Sequence, residues 1–433
     1  HMIRRPKGDF KDLVRSVEIV SVPESQYADG EPHVTMYRIE PTEGITDPAA
    51  FPRAAGVHNT VLIQDDDLFN AVVVGYGSLG IVYSYTLELR QPYWLREENT
   101  SERWRSFDPY AIAQANRHFN FLVDLIPPQA IGNMTPLCLL QRRNIASANG
   151  RTPTERRNVT SAFDAPVIEL IEFYKAFFDP VEFADRLATI GNDISRLFTG
   201  GVLSLSALDP PFEPGPDGLR YESAWYIALR RKKDENPDPD VDPEPPIDAI
   251  TTEIAVPADQ VAPAVDRVIQ FAADNDRFFP APLGVRFTDA SDQFFSAEYD
   301  RPIAMLEFII PVPEKLKENL DEVELGKVYP PTAFKKIFYQ KLKRINHETG
   351  LLDHFIDLSV AKAELAKLEA ILVDEFDGRP HLGKFNSVHV DAPATQLRPQ
   401  QMFPEYESWA AVEAYLNAFE TFDGAFTDNK TRP

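Results

Sequence analysis

Cysteine is almost absent from this chain of 433 residues, and the single residue, Cys138, excludes any disulfide within it. It stands in the apolar run Leu137-Cys138-Leu139-Leu140, where a buried, inert thiol is expected. Basic residues are in deficit: 44 Lys and Arg face 67 Asp and Glu, for a formal net charge of -23. That balance, without a basic stripe interleaved with aromatics, gives no field to draw in a phosphate backbone, so nucleic acid is not an expected partner. No stretch reaches the roughly 18 apolar residues of a helical membrane span. The opening HMIRRPKGDF also lacks the apolar centre of a secretory signal, so a cytoplasmic location is the expectation. Metal-ligand spacing is missing as well. His347-Glu348 and His354 do not reproduce two histidines one helical turn apart, and they read as a surface helix end.

What is present is apolar material: 43% of residues are hydrophobic, enough at this length for two or three domains. Ile81, Tyr83, Tyr85, Leu87 and Leu89 alternate with Val82, Ser84, Thr86 and Glu88, which predicts a two-faced strand. From Val261 the apolar positions Ala264, Val265, Val268, Ile269 and Ala272 follow helical spacing. Met305 to Val312 reads as a buried strand, and Trp409, Val412, Leu416 and Phe419 mark a late amphipathic helix. Strands and helices occur in mixed order without a regular βαβ repeat, so the class predicted is α+β. Arg230 to Pro246 is charged and rich in proline, and predicts a flexible acidic excursion at 230–247.

Gly75-Tyr76-Gly77-Ser78-Leu79-Gly80 satisfies G-x-G-x-x-G. A dinucleotide-binding turn of the Rossmann type needs a helix after its last glycine, whereas the residues from Ile81 onward are β-branched, aromatic and alternating. That context excludes the Rossmann reading. Left standing are a tight turn packed on a sheet and a place of close backbone approach to a ligand.

Three separated stretches resemble one family in the correct order. Asp67-Leu68-Phe69-Asn70-Ala71-Val72, with Gly77 to Val82 and Thr86 to Leu89, resembles the closing helix, turn and strand of the PCMH-type FAD-binding domain of the vanillyl-alcohol-oxidase superfamily. Pro282 to Phe287 and Arg301 to Ala304 resemble a pair of strands in its aldonolactone and alditol oxidase group, which also holds flavin-dependent sterol oxidases. Gly378-Arg379-Pro380-His381-Leu382-Gly383-Lys384, Phe403-Pro404-Glu405-Tyr406 and Phe422 to Asn429 resemble that group's tail. The resemblance implies a division into the second part of a FAD-binding domain (1–95), a substrate or cap domain with an antiparallel sheet flanked by helices (96–385) and a segment returning to the first domain (386–433).

By the same resemblance the cofactor is FAD, approached by Gly75, Gly77, Ser78, Leu79, Gly80, Ile81 and Val82. The reaction implied is oxidation of a CH–OH group by hydride transfer, on a sugar lactone, an alditol or a bulkier sterol-like alcohol; 29 phenylalanines lean towards the bulkier class. Such chemistry requires groups that hold the alcohol oxygen and take its proton. Arg286, His381 and Lys384 are the residues the resemblance implies, with His381 as proton carrier because imidazole titrates nearest neutrality. Gly284 stands where the group places a glutamate, so it can neither accept a proton nor fix the Arg286 guanidinium, and Leu382 replaces a tryptophan. Neither a pyrophosphate-binding loop nor a flavin-attached histidine precedes the glycine turn; His33 and His58 lie in the wrong context. An upstream or separate segment is therefore expected to supply that subdomain. The competing reading is a non-catalytic binding or scaffold protein on a degenerate oxidase fold, which a bound yellow chromophore would argue against.

Overall fold

A computed structural model describes residues 10–23, 34–51, 60–89, 94–123, 125, 135–146, 220–223, 249–274, 282–311, 358–386 and 402–422. His33, His58, His347, Glu348, His354, the acidic stretch 230–247 and residues 423–429 lie outside them. The fold is α+β, with sheets backed by helices.

The first sheet has the order β3-β2-β1-β4, built from β1 (Val14–Ser21), β2 (Thr35–Glu40), β3 (Thr60–Gln64) and β4 (Ile81–Leu87). β1 runs antiparallel to β2 and β4, while β2 and β3 are parallel. Helix α1 (Asp66–Val73) starts at Asp65, whose side chain accepts the Leu68 N–H at 2.8 Å. Asp66 and Asp67 in its first turn complement the positive end of the helix. Its buried face, Phe69, Ala71, Val72 and Val73, packs with Val17, Ile19 and Ile39 of the sheet. Helix α5 (Tyr406–Leu416) closes the same core through Trp409, Val412 and Leu416, with Trp409 edge-on to Phe295 at 4.5 Å. Phe419, expected on this helix, is a correction: the helix ends at Leu416 and Phe419 lies exposed beyond it.

The second sheet is antiparallel throughout, in the order β12-β9-β11-β10-β6-β7-β5-β8. Its strands are β5 (Trp94–Arg103), β6 (His118–Val123), β7 (Leu137–Ala146), β8 (Arg220–Ser223), β9 (Ala249–Pro257), β10 (Leu283–Thr288), β11 (Ile303–Pro311) and the short β12 (Arg379–Pro380). Helices α2 (Pro109–Ala115), α3 (Val261–Asp274) and α4 (Leu358–Phe376) cover one face. There Val265, Val268 and Leu368 pack on Ile254, Leu306, Val285 and Phe121, and Cys138 is buried among them. The period of two along each strand sends the alternate residues to the opposite face. In register across it stand Glu253, Glu307 and Gly284, and one step on, Ala255, Met305, Arg286 and Asn120.

Strand β4 departs from the two-faced expectation. Ile81, Val82, Tyr83 and Tyr85 are all exposed, and Leu89 lies past the strand's end. The reason is position: β4 is an edge strand, paired only with β1 among the described strands, so alternation has no second layer to sort it.

Candidate active site

The turn between α1 and β4 adopts the backbone that its glycines permit. Gly77 has φ +80°, and a Cβ there would meet nothing within 4 Å. Gly80 has φ +140°, and a Cβ there would lie 2.6 Å from the Val20 carbonyl oxygen, so this glycine is required by packing against β1. Between them Ser78 is buried and donates through its hydroxyl to the Gly75 carbonyl at 2.9 Å, which closes the turn on itself. Tyr76 takes φ +49°, a conformation that a residue with a side chain rarely adopts.

This turn lines a cavity of about 440 Å3. Gly75, Tyr76, Gly77, Leu79, Gly80 and Val82 form one side; Phe295 to Glu298, Met305, Pro380 and His381 form the other. Motifs three hundred residues apart in the chain thus share one wall-to-wall space. Of the expected cofactor contacts, Gly75, Gly77, Leu79, Gly80 and Val82 reach it, whereas Ser78 turns into the core and Ile81 is exposed without lining the cavity.

The charged residues meet beside it. Arg286 Nε donates to Glu253 Oε1 at 2.8 Å, and Lys384 Nζ lies 3.0 Å from Glu253 Oε2. Lys384 also donates to Glu307 Oε1 at 2.5 Å. Glu253 is fully buried, whereas the side chains of Arg286, Lys384 and Glu307 are 44%, 24% and 32% exposed. Burial by itself would push Glu253 upward, but the Arg286 hydrogen bond and the charges of Arg286 and Lys384 outweigh it, holding the carboxyl below its usual value. Glu253 is therefore an ionised anchor that fixes two cations on the open face.

His381 belongs to both arrangements. Its backbone N–H donates to the Glu253 carbonyl at 2.8 Å, its carbonyl accepts the Lys384 N–H at 3.0 Å, and the residue lines the cavity. Nδ1 accepts the Gly383 N–H at 3.1 Å, and a Cβ on Gly383 would stand 3.0 Å from the ring, so glycine lets the turn fold back on the imidazole. Arg286 and Lys384 do not line the cavity; they border it, since Met305, the register partner of Arg286, does. Beyond Arg286 the same face carries Asn120, whose amide donates to Gln141 at 2.6 Å and whose oxygen accepts from Arg143 at 3.2 Å.

Gly284 cannot fix the Arg286 guanidinium, and Glu253, two strands away on β9, does so instead. The carboxylate missing at 284 also has a counterpart across the register: Glu307 Oε2 lies 3.7 Å from where a Gly284 Cβ would be. Glu253, Glu307, Glu298 and Lys11 were not found from the sequence; the available signals were two lone acids, Glu253 just before Ile254-Ala255-Val256 and Glu307 between Leu306 and Phe308 in an otherwise apolar run. No group of His, Cys, Asp and Glu suited to a metal occurs among the described residues.

No family model matches the chain, and no curated protein matches it. Solved structures do align. Cholesterol oxidase from Brevibacterium sterolicum is 11% identical with a TM-score of 0.44, and its His121Ala mutant is 10% identical with the same score. Aclacinomycin oxidoreductase is 12% identical with a TM-score of 0.38, and each alignment covers 98% of this chain and 70% of the other.

Proposed function

We propose that this chain is part of a FAD-dependent oxidoreductase of the vanillyl-alcohol-oxidase superfamily that oxidises a CH–OH group. The observation that carries the reading is that the glycine turn and His381, far apart in sequence, line one cavity bordered by the Arg286–Glu253–Lys384 cluster. The residues fit the ring end of a flavin. About 440 Å3 lies within the usual size of small-molecule sites, Ile19, Val72, Phe295 and Met305 give apolar walls, and the position of a Gly77 Cβ is open.

A bound flavin would supply the two-electron acceptor for hydride. The chain's own part is to hold the alcohol oxygen and receive its proton. Arg286 and Lys384, fixed by the buried Glu253, present donors to that oxygen and stabilise the charge that develops on it. His381 lines the cavity, and because its Nδ1 accepts from Gly383 the neutral ring carries its proton on Nε2; it takes up the alcohol's proton on Nδ1, once the Gly383 N–H has let go. The hydrogen-bonded lane of Asn120, Gln141 and Arg143 beside Arg286 supports a substrate that carries further hydroxyls, a sugar lactone or alditol, over a wholly apolar alcohol. The segment completing the flavin site would come from upstream sequence or a separate chain.

The test is the visible absorption of the purified chain before and after FAD is added and the excess removed. Retained flavin bands support the reading and lead to assays on alcohols, in which Lys384→Ala and His381→Ala are expected to lower turnover by about 100-fold or more. A chain that stays colourless and leaves the FAD spectrum unperturbed favours the scaffold reading instead.

A further inference from the structure

We propose that one corner of the cavity, formed by Lys11, Glu298, Ser296 and Tyr76, recognises the edge of a flat nitrogen heterocycle that carries a hydrogen-bond donor next to an acceptor. The inference rests on the cavity being a ligand site, as proposed above, and adds the residues and the chemistry by which a ring is read there.

Lys11 Nζ stands 3.1 Å from Glu298 Oε1, and the two side chains are only 15% and 4% exposed. Withdrawing both charges from water costs several kcal/mol per ion, and an apolar pair of similar volume is often at least as stable. Stability therefore gives no reason for this pair, whereas its place on the cavity wall does. The carboxylate is held rather than mobile. Ser296 donates its hydroxyl to Glu298 Oε2, and the Glu298 carbonyl accepts the Ser291 N–H at 2.9 Å, which pins the segment 291–299 to itself. Glu298 thus offers a fixed acceptor and Lys11 a donor beside it.

Tyr76 completes the corner. Its ring lines the cavity and meets Phe295 edge-on at 6.0 Å. Burial, with the Glu298 charge behind it, pushes the phenol upward, so it remains a protonated donor. The φ of +49° that brings this ring inward costs on the order of 1 kcal/mol for a residue that is not glycine, and such strain persists where the surroundings enforce it. Ile19, Val72 and Tyr85 supply the flat walls a ring requires.

A lysine donor beside a carboxylate acceptor is complementary to two kinds of edge: the carbonyl and N–H of an imide, as in the isoalloxazine ring, and the ring nitrogen and amino group of adenine. The experiment separates them. Binding of riboflavin, adenosine and FAD to the full chain is measured by calorimetry, with Glu298→Gln, Lys11→Met and Ser296→Ala alongside, and circular dichroism and urea midpoints confirm that each variant folds. Expected is binding of riboflavin or of adenosine by the unaltered chain, weakened at least tenfold in both Glu298→Gln and Lys11→Met; whichever probe binds identifies the edge. FAD bound equally by folded variants and the unaltered chain would overturn the corner and leave the flavin reading intact. Adenosine bound through the corner, with FAD excluded, would uphold the corner and overturn the flavin reading. If no probe binds the unaltered chain, both are overturned. Should Glu298→Gln fail to fold, Ser296→Ala decides, since it loosens the carboxylate without removing it.

Discussion

Replacing Glu253 by glutamine removes the carboxylate that Arg286 and Lys384 share while keeping its shape, so the effect is one of charge and not of a cavity. Breaking a buried ion pair by taking away one partner typically costs about 3–5 kcal/mol, because a charge is left uncompensated. The lower end, about 3 kcal/mol, applies here. The stranded cations are 44% and 24% exposed and so keep part of their hydration, and Lys384 retains Glu307 at 2.5 Å. Lys384→Met is the control: Glu253 keeps its 2.8 Å bond from Arg286, and the expected loss is about 1–2 kcal/mol. Urea unfolding of the full chain at neutral pH reads both. The carboxyl is held below its usual value in the folded state, so its contribution is complete above the unfolded value near 4.5 and fades as pH falls through the lower, folded one. The stability curves of the unaltered chain and Glu253→Gln should therefore converge on acidification below that point. A loss under about 1 kcal/mol at neutral pH, or curves that run parallel in acid, would refute Glu253 as the ionised anchor.

The two positive-φ glycines of the turn should separate. Gly80→Ala drives a Cβ to 2.6 Å from the Val20 carbonyl and should cost about 2–4 kcal/mol in unfolding experiments. Gly77→Ala meets open space and should cost only about 1 kcal/mol for its backbone, yet weaken FAD binding, because Gly77 lines the cavity and an added methyl holds a ligand off its backbone. Gly284→Ala finds its nearest neighbours at 3.7 Å and should leave stability unchanged or raise it by about 0.5–1 kcal/mol, as in other strand interiors; a loss above that would show the space over Gly284 to be filled. Trp409→Ala, at a fully buried site against Phe295, should cost about 3–5 kcal/mol by thermal or urea unfolding.

Where a pattern answered to one packed layer, it was legible in the sequence. Val261, Ala264, Val265, Val268 and Ala272 are all buried under the second sheet, because a helix lying on a sheet needs a single stripe. Rejecting a Rossmann turn at Gly75 to Gly80 was also sound: a helix precedes those glycines and an antiparallel edge strand follows them. Where burial depends on neighbours that sequence does not name, legibility stopped. The alternation from Ile81 to Leu89 carried no information about burial on an edge strand, and the apolar spacing that reached Phe419 ran past a helix that ends at Leu416.

The site divides along the same line. Gly77, Gly80, His381 and Lys384 stand in contiguous motifs, so short sequence windows expose them. Glu253, Glu307 and Arg286 form a unit only because β9, β11 and β10 are neighbours in register, with Gly284 opposite Glu307 and Glu307 opposite Glu253. A missing glutamate at 284 therefore does not leave the face without a carboxylate, since a side chain from the adjacent strand can fill the same space. In an antiparallel sheet the functional unit is the row across strands, and a row is invisible to any window along the chain. For that reason the loss of a motif residue on one strand is weak evidence for lost chemistry until the residues beside it in the row are known.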